Sequence, residues 1–220
     1  MPFLQTNFNG ESYLGLFGFA TDSYCLISNR LSDQKYARLE ETLSVTVIPT
    51  TVFSFGLSGI MSAGNSNGVL LPYLASESEI KKIGKVVESV TTIPDKFTAL
   101  GNLIVTNDTG GIISDVFSEE SKKIIDDVLG FETVQMSIAD SSEVGSVCVA
   151  TNKGFVVTPD CGRGELDRLE KIFGVNGGEA SANMGSRVVG ASIIANSNGY
   201  VVGEETSGIE LGYIEEGLGF

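Results

Sequence analysis

The sequence predicts an α+β protein built as a closed, five-fold pseudosymmetric β/α-propeller, a ring of β-β-α-β units. Three observations lead there. The tetrapeptide Asn-Ser-Asn-Gly occurs twice, ending at Gly68 and Gly199, 131 residues apart. In both copies the last glycine follows an earlier one by nine residues, Gly59 and Gly190, and the same pair recurs at Gly101/Gly110 and Gly145/Gly154. Gly15 opens a fifth copy with Tyr24 in second place, so the starts lie 44, 42, 44 and 45 residues apart and 131 is three periods. Apolar columns keep the same register. They are Leu26-Ile27, Leu70-Leu71, Ile112-Ile113, Val156-Val157 and Val201-Val202, then Leu39, Ile83, Ile125, Leu169 and Ile214, and finally Leu43, Val87, Leu129, Phe173 and Leu218. Self-similarity at a fixed period is the signature of a repeat architecture.

The repeat blocks are 15–43, 59–87, 101–129, 145–173 and 190–218, within a single domain spanning 1–220. In each, a first strand (GLFGFA, GIMSAG, GNLIVT, GSVCVA, GASIIA) begins at the first glycine. A turn rich in Asn, Asp and Gly, such as NSNG or NDTG, leads to a second strand (YCLIS, GVLLP, GIIS, FVVTP, YVVGE). A helix follows. In SESEIKKIGKVV, Ser76 and Glu79 stand in capping-box spacing, and EESKKIIDDVLG and ELDRLEKIFG end on Gly130 and Gly174, as a helix stop does. Apolar residues four apart in the last two columns make one buried stripe. The connectors SVTVIPTTV and FETVQMSI read as a third strand. The fifth block has no connector, but residues 1–14 have a connector's length, so PFLQTNF is expected to complete the fifth unit and close the ring without an open sheet edge.

Composition narrows the function. There is no histidine among the 220 residues, which removes Ser-His and Cys-His nucleophile pairs and histidine-bound metals. Cys25, Cys148 and Cys161 are odd in number, without CxxC spacing, and read as apolar fillers in a reducing cytosol. The start, MPFLQTNFNG, has no signal-peptide pattern, and the charge-free stretch between Glu41 and Glu77 is broken by prolines, glycines and asparagines, so no membrane span is expected. The net charge of −14 suits a basic protein partner better than a phosphate backbone, although solubility or a salty cytoplasm would account for it equally well.

Candidate chemistry is sparse. Asp22, Asp108 and Asp160 sit near turns, where carboxylates more often satisfy backbone groups than catalyse. Cys161 lies beside Arg163 but has no base, and Glu204-Glu205 and Glu215-Glu216 read as a solvated face. No catalytic, metal or cofactor site is assigned. The glycine column (Gly15, Gly59, Gly101, Gly145, Gly190) is read first as crowded backbone at the narrow end of a ring. In equivalent units it also lies on one rim, with the following residues, Leu16, Ile60, Asn102, Ser146 and Ala191, as the uncharged centre of a docking surface.

Five such units in a ring is the pentein architecture. Within it, SYCLIS (23–28), GNSNGVLLP (64–72), TALGN (98–102) and VGSVCVATNKGFVVTP (144–159) resemble the archaeal translation initiation factor six family, over nearly the whole chain. The resemblance implies a cytoplasmic, non-enzymatic monomer without cofactors. Such a protein binds the large (50S) ribosomal subunit, prevents association with the small (30S) subunit and takes part in large-subunit biogenesis. It implies docking on an L14-type protein, next to an L24-type protein and the sarcin–ricin loop of rRNA, with Asn102 of TALGN at the interface. Ser54-Phe55 and Ile60 depart from the smaller or polar residues expected there. The alternatives are a guanidino-modifying pentein enzyme, disfavoured by the absence of histidine, and an acidic ring-shaped protein-binding scaffold. A ring around DNA would need a basic bore, which the inner strands do not supply.

Overall fold

The computed structural model describes residues 3–220; Met1 and Pro2, the latter inside the expected N-terminal strand, lie outside the described residues. The chain begins with β1 (Phe3–Thr6). A 3₁₀ turn at Leu14–Leu16 then opens the first unit, with β2 (Gly18–Ala20), β3 (Tyr24–Ser28), α1 (Asp33–Leu43) and β4 (Thr46–Thr50). The second holds α2 (Ser58–Met61), β5 (Ala63–Asn65), β6 (Gly68–Pro72), α3 (Glu77–Ile83) and β7 (Ser89–Ile93). The third holds α4 (Leu100–Leu103), β8 (Ile104–Thr106), β9 (Gly111–Ile113), α5 (Glu119–Leu129) and β10 (Val134–Gln135). The fourth holds α6 (Val144–Val147), β11 (Cys148–Ala150), β12 (Phe155–Val157), α7 (Arg163–Phe173) and β13 (Gly177–Glu179). The last holds α8 (Val189–Ser192), β14 (Ile193–Ala195), β15 (Tyr200–Gly203) and α9 (Gly208–Leu218).

These strands form five three-stranded sheets, ordered β2-β3-β4, β5-β6-β7, β8-β9-β10, β11-β12-β13 and β14-β15-β1. In each, the first two strands are antiparallel and the third runs parallel to the second. β1 takes the third place in the last sheet, pairing Phe3 with Tyr200 through Thr6 with Gly203, so the N-terminal strand closes the ring. The first part of each sequence-read inner strand differs from expectation. GLFGFA, GIMSAG and their counterparts open with a single helical turn, and the strand starts only three or four residues later. The reason is crowding at the axis, where five chains meet at the glycine column.

Strand directions define two ends. Inner strands leave the short-helix end, second strands return to it, third strands run toward it, and the long helices start there and finish at the other. We call these the hub end and the turn end. Helix starts are fixed by residue chemistry. Ser76 accepts the Glu79 N–H while Glu79 accepts the Ser76 N–H, and Ser207 and Glu210 repeat this capping box. At the helix stops, Gly130 and Gly174 sit at φ +87° and +69°, which glycine adopts without strain.

The core is not one mass but five, each shared between neighbouring blades. Helix residues Leu39 and Leu43 of the first blade pack with Leu4, Ile194 and Val201 of the last, and Ile125 and Leu129 pack with Leu70 and Ile93 of the blade before. Both helical columns read from the sequence are fully buried in this way, as Ile83, Leu169, Phe173, Ile214 and Leu218 also show. Each blade therefore depends on its neighbour for a core. That is the physical reason for closing the ring.

Polar staples reinforce four of the five seams at the turn end; Thr151, at the seam between the fourth and fifth blades, bonds within its own turn. Asn65 donates to Leu129 O (3.0 Å) and Asn107 O (3.1 Å), Asn107 to Phe173 O (2.8 Å) and Thr151 O (3.1 Å), and Asn196 to Leu43 O (2.8 Å) and Thr21 O (3.0 Å). Each amide caps the C-terminal carbonyl of the next blade's helix, a group left orphaned by helix geometry. The first asparagine of NSNG is thus an interblade staple in both copies. Where the column holds Thr21, the buried Tyr24 hydroxyl bridges instead to Asn65 O (2.9 Å) and Gly68 O (3.1 Å).

Candidate functional site

The five short helical turns meet around the axis at the hub end. A Cβ added at Gly59 would fall on Gly15 O, at Gly101 on Gly59 O, at Gly145 on Gly101 O, at Gly190 on Gly145 O and at Gly15 on Gly190 O, each far inside the 3.0 Å that real Cβ atoms keep. The column is thus a closed cycle in which every glycine receives the carbonyl of the preceding one. These glycines are packing residues of the hub. Of the residues that follow them, Leu16, Ile60, Asn102 and Ala191 are half-buried, while Ser146 is buried. The Asn102 side chain makes no hydrogen bond to the described protein, and it lies with Leu16 and Ala191 on the wall of the central cavity.

That cavity holds about 80 Å³ and is lined by the glycine column and by small or apolar side chains of the inner strands, Ala20, Ala63, Val105, Val149 and Ala195 among them. A smaller chamber of about 20 Å³ continues it at the turn end. There Asp22 accepts the Ser197 N–H (2.8 Å), Asp108 accepts the Ser66 N–H (2.8 Å), and the Asn152 amide bridges both carboxylates at 2.7 and 2.6 Å. Both aspartates therefore tie turn to turn. Asp160 pairs on the surface with Arg187. Glu215, read from sequence as solvated, instead accepts the Tyr200 hydroxyl at 2.9 Å. Burial, with Glu165 nearby, pushes the Cys161 thiol up to about 12, and burial pushes Cys25 to about 12 as well, so both are held as neutral thiols. Among the described residues no three His, Cys, Asp or Glu side chains gather as a metal site would need.

Outside the hub a second circle of turns surrounds it. Each precedes a short helix by a few residues: Phe8–Glu11, Val52–Phe55, Ile138–Ser141 and Ala182–Ser186 are closed by bridges across the turn. Three of them rest on a carboxylate reaching up from a long-helix N-terminus, and under Ile138–Ser141 it is Glu165, which accepts the Ala139 N–H (3.1 Å). Glu79 accepts Phe53 N–H (3.1 Å), Ser54 N–H (3.0 Å) and the Thr51 hydroxyl (2.7 Å) besides its own cap. Glu210 accepts Gly185 N–H (2.7 Å), Met184 N–H (3.3 Å) and the Ser181 hydroxyl (2.8 Å). Burial opposes ionisation of both, yet the hydrogen bonds outweigh it and hold each carboxyl below the usual glutamate value. Glu79 was legible as a capping residue; its second task, gripping a turn, was not.

Exposure sets this end apart. Of the ten exposed large apolar residues among those described, seven lie here: Phe53, Phe55, Tyr73, Val116, Met184, Val188 and Ile209. Phe3 and Val86 are at the turn end and Tyr213 on the flank. Around this apolar set stand exposed carboxylates, Asp33, Glu77, Asp115, Glu119, Glu120, Asp140, Glu143, Glu204 and Glu205, against few cations. One end of the ring is therefore a broad, uncharged hub with an apolar inner zone and an acidic margin.

Fold and face together define a closed five-bladed α+β propeller whose hub end gathers most of the exposed large apolar side chains inside an acidic margin. No helix among the described residues is long and apolar enough to cross a membrane. The chain belongs to the eIF-6 family, whose model matches residues 3–217. It is 41% identical to translation initiation factor 6 of Pyrococcus horikoshii over 98% of both chains. It is 37% identical to that of Thermoplasma acidophilum over 97% of this chain and 98% of the relative. With the Haloquadratum walsbyi factor it shares 33% over 99% and 96%. Among solved structures, the substrate-bound N-terminal domain of a cyanobacterial arginine dihydrolase aligns at TM-score 0.49 and 13% identity, over 75% of this chain and 67% of that one, a similarity too low to bear on function.

Proposed function

We propose that this protein binds the large ribosomal subunit through its hub end and, while bound, keeps the small subunit from joining. The observation that carries this is the segregation of exposed apolar side chains to one end of the ring, in a chain whose family is that of a translation initiation factor. Contiguous apolar exposure rimmed by polar residues marks a protein interface. The acidic margin selects the kind of partner, because carboxylates repel a phosphate backbone and attract a basic ribosomal protein. An L14-type protein is the proposed main dock, with an L24-type protein and the sarcin–ricin loop beside it. The protein acts there by occupying surface as a cytoplasmic monomer, not by catalysis, with a role in large-subunit biogenesis.

Asn102, Leu16, Ile60 and Ala191, with buried Ser146 and the glycines Gly15, Gly59, Gly101, Gly145 and Gly190 shaping the hub beneath them, form the proposed centre of contact. The test is co-sedimentation of the protein with purified archaeal large subunits. Wild type is expected to travel with the subunit, and Asn102→Asp to bind about tenfold or more weakly at unchanged melting temperature, since it adds a charge to an uncharged centre. Wild type remaining at the top of the gradient would reject the reading.

A further inference from the structure

We infer that Phe53 and Met184 are the anchoring side chains of the hub end, held in a strained left-handed turn so that they project into apolar pockets on a basic protein partner. The inference rests on the docking reading above and names the residues that carry its affinity. It starts from the backbone. Turns of two residues with positive φ accept Asn and Gly readily, and the turn at Asn9-Gly10 uses that pair, at φ +57° and +87°. In the equivalent turn of the next unit the pair is Phe53-Ser54, at φ +52° and +62°. In the fourth unit the pair is Ala139-Asp140, at φ +50° and +60°, and in the last unit Met184 sits at φ +62° between Asn183 and Gly185. A bulky residue in this region is an outlier, and such strain concentrates where function requires it.

The fold does not require these two residues. The Asn9-Gly10 turn solves the same geometric problem without strain, in the same ring. Nor does either side chain contribute to a core, since Phe53 is 42% and Met184 82% exposed. What the protein does provide is support from beneath. Glu79 and Glu210, both buried, take the turn N–H groups, and Phe55 lies against Phe53 with ring centroids 5.9 Å apart. Two of the five units thus spend stability to present a large apolar side chain at the same level of the same face. Rigid, partly exposed anchors seated on a preorganised backbone are what interface hot spots use. The acidic margin directs them to a basic surface.

Because strain and affinity are tied, the test has two readouts that move in opposite directions. Phe53→Asn, Met184→Asn and the double variant of the full chain would be compared with wild type for melting temperature and for affinity to purified archaeal large subunits. Each substitution is expected to raise the melting temperature by about 2–4 °C by relaxing the turn. The double variant is expected to bind about tenfold or more weakly. A double variant that binds as wild type does overturns the anchor role, and unchanged or lowered melting temperatures overturn the strain argument. If wild type itself fails to bind, the docking reading falls and the anchor role with it; if only the variants bind normally, the docking reading stands alone.

Discussion

Asn107 offers the sharpest test of what holds the ring together. Its amide donates to Phe173 O and Thr151 O in the next blade, while its carbonyl accepts Thr109 N–H (2.9 Å) and Gly110 N–H (2.8 Å) within its own turn. Asn107→Ala removes these four bonds, and the Thr109 hydroxyl's bond to the same carbonyl (3.1 Å), from a residue only 4% exposed. Phe173 O keeps the Thr109 hydroxyl at 3.0 Å, and Thr109 N–H can reach water, so the groups left without a partner are Thr151 O and Gly110 N–H. At about 1–3 kcal/mol for each orphaned buried group, the loss is roughly 3 kcal/mol. Asn107→Thr separates the two halves of that sum. Threonine occupies this column at Thr21 and Thr151, where its hydroxyl accepts the turn N–H groups of Tyr24 and Gly154 at 3.1 Å each. It should therefore retain the bonds inside the turn and lose only those across the seam, at about 1–2 kcal/mol. Denaturant unfolding of wild type and both variants gives the three values. No destabilisation by Thr would refute the staple, and equal destabilisation by Ala and Thr would mean that the bonds inside the turn add nothing.

The glycine cycle makes a paired expectation. Gly101→Ala places a methyl on Gly59 O and should cost about 1–3 kcal/mol or more, whereas Gly212→Ala, in helix α9 with nothing within 4 Å of the new carbon, should gain about 0.5–1 kcal/mol. Thermal unfolding reads both, and a neutral Gly101→Ala would mean that the hub is not packed as described. A further expectation concerns acid. The carboxyls of Glu79 and Glu210 are held below 4.5 in the folded chain, so the stability they contribute is present above that value and is lost as pH falls through the folded values. Melting temperature followed downward from neutral pH should drop less steeply below about pH 4.5 in the Glu79→Gln, Glu210→Gln variant than in wild type. Parallel curves would remove the two clamps from the account.

Much of the architecture could be read from columns that repeat with the period. Leu39, Ile83, Ile125, Leu169 and Ile214 announced a helix stripe, and all five are fully buried. The third strand supplied by the N-terminus was legible as a missing connector. What stayed hidden depends on contacts far apart in sequence. Asn65 and Asn196 look like ordinary turn residues until Leu129 and Leu43, 64 and 153 residues away, are seen to be their acceptors. The glycine column could be noticed but not interpreted, because each missing Cβ makes room for a carbonyl from a neighbouring unit. The helical turns at the hub were read as strand, since four residues carry too little periodicity to distinguish the two. Phe53-Ser54 gave no turn signal at all. Local propensity argues against that pair, and only Glu79 beneath it makes the conformation tenable.

For the candidate face, sequence alone pointed to a proposed centre, Asn102 and its neighbours, but not to the apolar circle around it. Phe53, Tyr73, Val116 and Met184 come from different units, and only the strand directions bring them to one end. The measurement that bears most directly on the account is an image of the protein bound to an archaeal large subunit, at a resolution that distinguishes the two ends of the ring. The hub end, with Asn102 central and Phe53 and Met184 on its circle, should face the subunit surface that the small subunit would cover. Contact through the turn end, with Asp22, Asp108 and Asn152 toward the ribosome, would contradict it.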